Sequence, residues 1–127
     1  MACIFCSIAA GSIPAYIVYE DEILLAIMDA FPETKGHVLI LPKAHAENLY
    51  DLPEATAAAI LPLAQKLAQK INTAFHPDGI KIIQNNGKAA GQVVMHYHLH
   101  LIPRYENDRA KPAPDELAHL AVQLRDA

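Results

Sequence analysis

The chain has no apolar run approaching the roughly 18 residues of a membrane span, and its first residues lack the basic, apolar pattern of a signal sequence. Both absences lead to the expectation of a cytoplasmic protein with no membrane partner. Lysine and arginine number only 10 against 14 acidic residues, for a net charge of −4, and they form no cluster. Binding to a nucleic acid polymer rests on neutralising many phosphates, so that partner class is set aside. A small phosphorylated ligand stays in play, because a few local donors suffice for it. Cysteine is scarce: Cys3 and Cys6 are the only two, so no disulfide framework is indicated. The glycine spacing and Lys-Ser/Thr pair of a P-loop are also missing.

What is there fits one domain. A chain of 127 residues, 53% hydrophobic and with a mean hydropathy of +0.14, buries a real core with limited margin. Its most informative stretch is Gly91-Gln92-Val93-Val94-Met95-His96-Tyr97-His98-Leu99-His100-Leu101-Ile102-Pro103-Arg104. Three of the seven histidines fall at alternate positions there. Read as a strand, it puts His96, His98 and His100 on one face, about 6–7 Å apart, with Tyr97, Leu99 and Leu101 directed into a core. Three readings stand: a polar face of hydrogen-bonded histidines, a three-histidine metal site, or a phosphate-chemistry site with one imidazole as nucleophile.

The rest of the pattern supplies five strands and a long helix. Ser7–Gly11 reads as a short helix stopped by Gly11, followed by strands at Tyr16–Glu20 and Ile23–Met28. His37–Pro42 is almost continuously apolar and reads as a central strand. Asp51-x-x-Glu54 resembles a capping box opening a helix over 53–75, whose buried stripe is Ile60, Leu63, Leu67 and Ile71 and which Pro62 should kink. Gly79–Gln84 is the fourth strand, and Asn85–Gly91 a glycine-bounded connection into the fifth. Asp115–Arg125 reads as a terminal helix with Leu117, Leu120 and Leu124 on one side. The expected class is α+β with an antiparallel five-stranded sheet, one long helix and helices at the ends. Cys3-Ile4-Phe5-Cys6 is half of a four-ligand zinc site, two free thiols beside a core Phe5, or a redox pair; no strand precedes it to favour the last.

Gln92-x-x-x-His96-x-His98-x-His100-x-x-Pro103-Arg104 resembles the signature of the histidine triad family of nucleotidyl hydrolases and transferases. The likeness extends upstream through the cysteine pair, Ile13-Pro14-Ala15, Tyr19-Glu20-Asp21 and Gly36 to His45. It covers residues 1–104, a histidine triad domain, and leaves 105–127 as a C-terminal tail packed on the same domain. The resemblance implies a homodimer. It also implies a nucleoside phosphoramidate or nucleotidyl hydrolase or transferase acting at the α-phosphate of purine, chiefly adenosine, nucleotides.

On that resemblance His98 is the nucleophile that carries a covalent nucleotidyl intermediate. His100, Gln92 and Asn85 stabilise the phosphoryl oxygens, and His37 assists beside the triad. Phe5, Ile8, Ile13 and Ile27 grip the base, though each also reads as an ordinary core residue. Asp29 accepts both ribose hydroxyls, or else closes a turn. Gly91 and Val93 complete the nucleotide site. His45 and His96 join Cys3 and Cys6 around a structural zinc. The chain departs from the family pattern at Val93, where many triad hydrolases carry a hydroxyl that can hydrogen-bond the phosphate or leaving group. The rival classes are a diadenosine polyphosphate hydrolase, a metal-dependent hydrolase, and a non-catalytic nucleotide- or partner-binding module.

Overall fold

The computed structural model describes residues 3–107 and 111–127; positions 108–110 of the tail and the first two residues lie outside the described residues. Five strands form one antiparallel sheet: β1 (Ile17–Glu20), β2 (Leu24–Met28), β3 (Val38–Pro42), β4 (Gly79–Ile83) and β5 (Leu99–Arg104). Their order across the sheet is β1-β2-β3-β5-β4. Three helices cover it, α1 (Ile4–Ala9), α2 (Glu54–Phe75) and α3 (Leu117–Asp126). The α+β class with an antiparallel sheet is therefore the observed one.

Alternation along β2 and β3 decides which layer packs where, because successive side chains leave a strand on opposite faces. Leu24, Ala26, Met28, Val38 and Ile40 join Leu99 and Leu101 of β5 beneath α2 and α3. Leu25, Ile27, Leu39 and Leu41 point the other way and meet Phe5 of α1. Both central strands are thus buried on both faces, which explains their unbroken apolar sequence. On α2, Ile60, Leu63, Leu67 and Ile71 are at most 7% exposed. Burying each stabilises the fold by about 1.5–3 kcal/mol. On α3, Leu117, Leu120 and Leu124 are buried, and Leu120 and Leu124 join that core.

Several local expectations needed correction. The first helix starts at Ile4 rather than Ser7, because Cys3 serves as its N-cap and its sulfur accepts the Cys6 N–H. Gly11, at φ +80°, still stops the chain just beyond it. Asp51 opens no helix. Its carboxylate accepts from the N–H groups of Glu47 and Asn48, both at 3.0 Å, while Pro53 occupies the N-cap of α2 with no side-chain bond. Helix α2 does carry Pro62 inside its span. Most consequential, β5 begins only at Leu99: residues 94–96 make a bend, so of the three histidines only His100 lies in the paired strand.

Candidate active site

That bend divides the histidines between two tasks. His100 pairs with Leu39 on one side and Ile83 on the other, on the α1 face of the sheet. His98, just ahead of that strand, brings its ring to 5.0 Å from that of His100. Both line a cleft of about 470 Å³ between α1, the start of β1 and the loop that carries Asn85 and Gly91. His96 is turned away and fully buried, against the cysteine pair. Phe5 stands between the two groups, edge-on to His98 at 5.0 Å and to His96 at 5.8 Å.

Hydrogen bonds settle which ring nitrogen of each neutral histidine carries its proton. A carbonyl only accepts, so the 2.7 Å contact between His98 Nδ1 and the His96 carbonyl is an N–H donation. His98 Nε2 is then the lone-pair nitrogen. The backbone N–H of Glu33 donates to His37 Nδ1 at 3.1 Å, which places the His37 proton on Nε2. That N–H lies 3.0 Å from His100 Nδ1 and 3.3 Å from Asp29 Oδ2. His100 Nδ1 accepts it, so the His100 proton sits on Nε2. The same site therefore presents a lone pair on His98 and an N–H on His100. Burial holds both His37 and His100 below the usual imidazole range, His100 to about 4, with the neighbouring histidines adding to its shift. Asp29 opposes both shifts too weakly to reverse them. His100 is thus a neutral donor at pH 7.

The Asp29 carboxylate closes this corner. Its Oδ1 accepts the Phe31 N–H at 2.8 Å, and its Oδ2 faces His37 and, at 4.0 Å, His100. Phe5, Ile8, Ile27, Asn85, Gly91 and Val93 also line the cleft. Gly91 has φ +96°, and a Cβ there would meet Asn85 Nδ2 at 3.3 Å, so the loop follows a course that favours glycine. Two expected members are elsewhere. Ile13 does not line the cleft; Pro14, Ala15 and Tyr16 do. Gln92 is only 3% exposed, and all four bonding positions of its amide are taken within the protein. Its oxygen accepts from Gly87 N–H and Asn48 Nδ2, and its nitrogen donates to the carbonyls of Glu47 and Val94. Leu39, Phe31 and Val94 line the cleft and were not anticipated. Leu39 shares a sheet face with Ile27 and was readable from alternation; Phe31, in a loop and 90% exposed, left no such signal.

The cysteine corner has the shape of a closed metal site. Cys3 Sγ lies 3.3 Å from His96 Nδ1, and Cys6 Sγ lies 3.3 Å from His45 Nδ1 and 3.5 Å from His96 Nδ1. All four atoms fall within 4.8 Å of one another. A tetrahedral zinc with bonds of about 2.3 Å to sulfur and about 2.0–2.1 Å to nitrogen would set sulfur and nitrogen roughly 3.5 Å apart, so the donors fit. His96 donates Nε2–H to the Pro42 carbonyl at 2.8 Å, which leaves Nδ1 free to ligate. Burial first, then the Cys3 sulfur, push the Cys6 thiol up, a direction that a bound cation reverses.

A HIT-domain family model matches residues 10–107. The chain belongs to the histidine triad family. It is 41% identical over 104 residues to the adenosine 5′-monophosphoramidase hnt1 of Schizosaccharomyces pombe, covering 82% of this chain and 75% of that one. A hypothetical histidine triad nucleotide-binding protein from Sulfolobus tokodaii superposes with a TM-score of 0.91 at 34% identity, over 98% of this chain and 90% of the other. A zinc-bound histidine triad family protein from Mycobacterium smegmatis gives 0.88 at 40% identity, over 99% and 92%.

Proposed function

We propose that this protein hydrolyses nucleoside phosphoramidates, or transfers their nucleotidyl group, by attack of His98 on the α-phosphorus of a purine nucleotide. The observation that carries the reading is the pair of opposed tautomers: a lone pair on His98 Nε2 and an N–H on His100 Nε2 in one cleft. A nucleophile and an oxyanion donor must differ in this way. Asp29 is the only carboxylate among the described residues lining the cleft, and its Oδ2 is suited to a ribose hydroxyl. Phe5, Ile8 and Ile27 offer the base an apolar slot. The monophosphoramidase among the relatives supports the same chemistry.

In the first step the His98 Nε2–P bond forms and the P–N bond breaks. The departing amine takes one proton from solvent, and His98 keeps Nδ1–H, whose bond to the His96 carbonyl favours the cationic phosphoimidazolium. In the second step water attacks phosphorus, the Nε2–P bond breaks, and one proton returns to solvent. His100 donates Nε2–H to a phosphoryl oxygen throughout, where developing charge strengthens the bond. Gln92 acts here by holding the loop carrying Gly87 against the segment carrying Glu47, not by touching phosphate. Zinc held by Cys3, Cys6, His45 and His96 would brace the fold, since four protein ligands leave it no open position. Cys3 and Cys6 as free thiols are compatible with the cytoplasm, where thiols are kept reduced.

A homodimer is part of the same reading. Strand β4 is an open edge carrying Ile82, 49% exposed, and a shallow groove joins it to Leu61 of α2, 67% exposed. A second copy of this face would cover both. The decisive test of function is His98→Asn assayed with a fluorogenic adenosine phosphoramidate. The variant should bind adenosine monophosphate as the parent does and lose turnover by at least about three orders of magnitude. Turnover within tenfold of the parent would remove the covalent mechanism.

A further inference from the structure

The nucleoside cleft does not stop at the histidines. Ile4, Val93 and Val94 line it and also line a second, larger cleft of about 900 Å³, which runs over the cysteine corner. Three large apolar side chains stand open to water along this ridge: Val93 is 87% exposed, Ile4 50% and Met95 37%. Isolated exposed apolar residues are ordinary, but a contiguous set joining two concave surfaces marks a binding surface. The charge in the two clefts is equally telling. Among the described residues lining them there is no lysine or arginine, and the carboxylates present are Asp29 in the first and Glu47 in the second.

Resting on the hydrolase reading above, we propose that the second cleft is the leaving-group site, and that it selects uncharged, apolar amines bound to phosphorus. A substrate whose nucleoside fills the first cleft has its phosphorus beside His98, and Val93 and Val94 form the wall shared with the second. An alkyl or aromatic amine laid along Val93, Ile4 and Met95 removes apolar surface from water on both sides, which is favourable in proportion to the area covered. A polyphosphate leaving group would instead bring several negative charges toward Glu47 with no lining lysine or arginine to offset them. A cationic amine gains little, because one exposed carboxylate in water is a weak partner. Val93 then has a positive role: it extends the apolar wall at the point where a hydroxyl would interrupt it.

The test compares kcat/KM of the protein for four adenosine derivatives. These are the unsubstituted phosphoramidate, the n-hexyl phosphoramidate, the 6-aminohexyl phosphoramidate and diadenosine tetraphosphate. The hexyl and aminohexyl compounds share a six-carbon chain and have similar leaving nitrogens, so their ratio reports the cleft and not intrinsic reactivity. That ratio should be about tenfold or more in favour of hexyl, the size expected when a few methylenes enter an apolar pocket. Met95→Glu, with affinity for adenosine monophosphate measured as a check on folding, should bring the ratio close to one. A ratio near one in the unaltered protein, a ratio unmoved by Met95→Glu, or fastest turnover of diadenosine tetraphosphate would each overturn the leaving-group site while leaving the hydrolase reading standing. No turnover of any of the four, with adenosine monophosphate still bound, would overturn both.

Discussion

Replacing His37 separates two consequences of one buried ring. His37 is 2% exposed, takes a hydrogen bond from Glu33 N–H, and gives one to His100 Nδ1. In His37→Phe the ring volume is kept and both bonds go. Leaving the Glu33 donor and the His100 acceptor without their His37 partner should cost roughly 2–6 kcal/mol of stability, at about 1–3 kcal/mol for each unmet group. The effect on chemistry has a different origin. Without the N–H from His37, the nearest partner for His100 Nδ1 is the Asp29 carboxylate, 4.0 Å away, and only an Nδ1–H can bond to it. His100 should therefore switch tautomer and turn a lone pair toward the phosphoryl oxygens where it had offered a proton. Loss of one hydrogen bond to a charged oxygen is worth about 1.5–3 kcal/mol, hence about a ten- to hundredfold fall in kcat/KM. His37→Gln is the control, since its amide can accept from Glu33 and donate to His100, and it should recover most of the loss. Nitrogen-15 chemical shifts of His100 read the tautomer directly, beside kcat/KM for an adenosine phosphoramidate. Equal losses in the Phe and Gln variants, or an unchanged His100 tautomer in His37→Phe, would refute the relay.

Metal analysis of protein purified without chelator should find about one zinc per chain, and Cys3→Ser combined with Cys6→Ser should lower metal content and melting temperature more than turnover. Unchanged zinc in the double variant would sink the assignment of the corner. Stability should also fall on acidification. His100 has a folded-state pKa of about 4 against a usual 6.5, so the unfolded chain binds the proton more readily. The stabilisation is complete above pH 6.5 and is lost as pH drops toward 4, with a ceiling of about 3 kcal/mol from this group. Burial shifts His37 and His96 in the same direction. Urea unfolding between pH 7 and 4 should show that slope, and His100→Asn should flatten it; an equal slope in both proteins would contradict the assignment.

How much of this was legible beforehand depends on how local the cause is. Strands β2 and β3 were readable almost to their ends, because burial on both faces imposes apolar side chains at every position. The stripe on α2 was readable for the equivalent reason at helical spacing. The alternate histidines carried real information: Leu99 and Leu101 do enter the core, and His98 and His100 do share a cleft. What spacing could not convey was the bend at residues 94–96, which turns His96 toward Cys3 and Cys6. That bend is held from outside the segment, by the Pro42 carbonyl on His96 Nε2 and by Gln92 Nε2 on the Val94 carbonyl. Asp51 and Gln92 show the same limit. Each has the right chemistry for the role expected of it, a helix cap in one case and a phosphate donor in the other. Each is instead consumed by backbone groups of neighbouring loops, Asp51 at positions 47 and 48 and Gln92 at positions 47, 87 and 94. A buried amide must satisfy all of its hydrogen bonds, and partners far apart in sequence are invisible until the fold brings them together. The tautomers follow the same logic. Glu33 N–H and the His96 carbonyl are ordinary backbone groups, yet they decide which ring nitrogen of His37 and of His98 carries the proton.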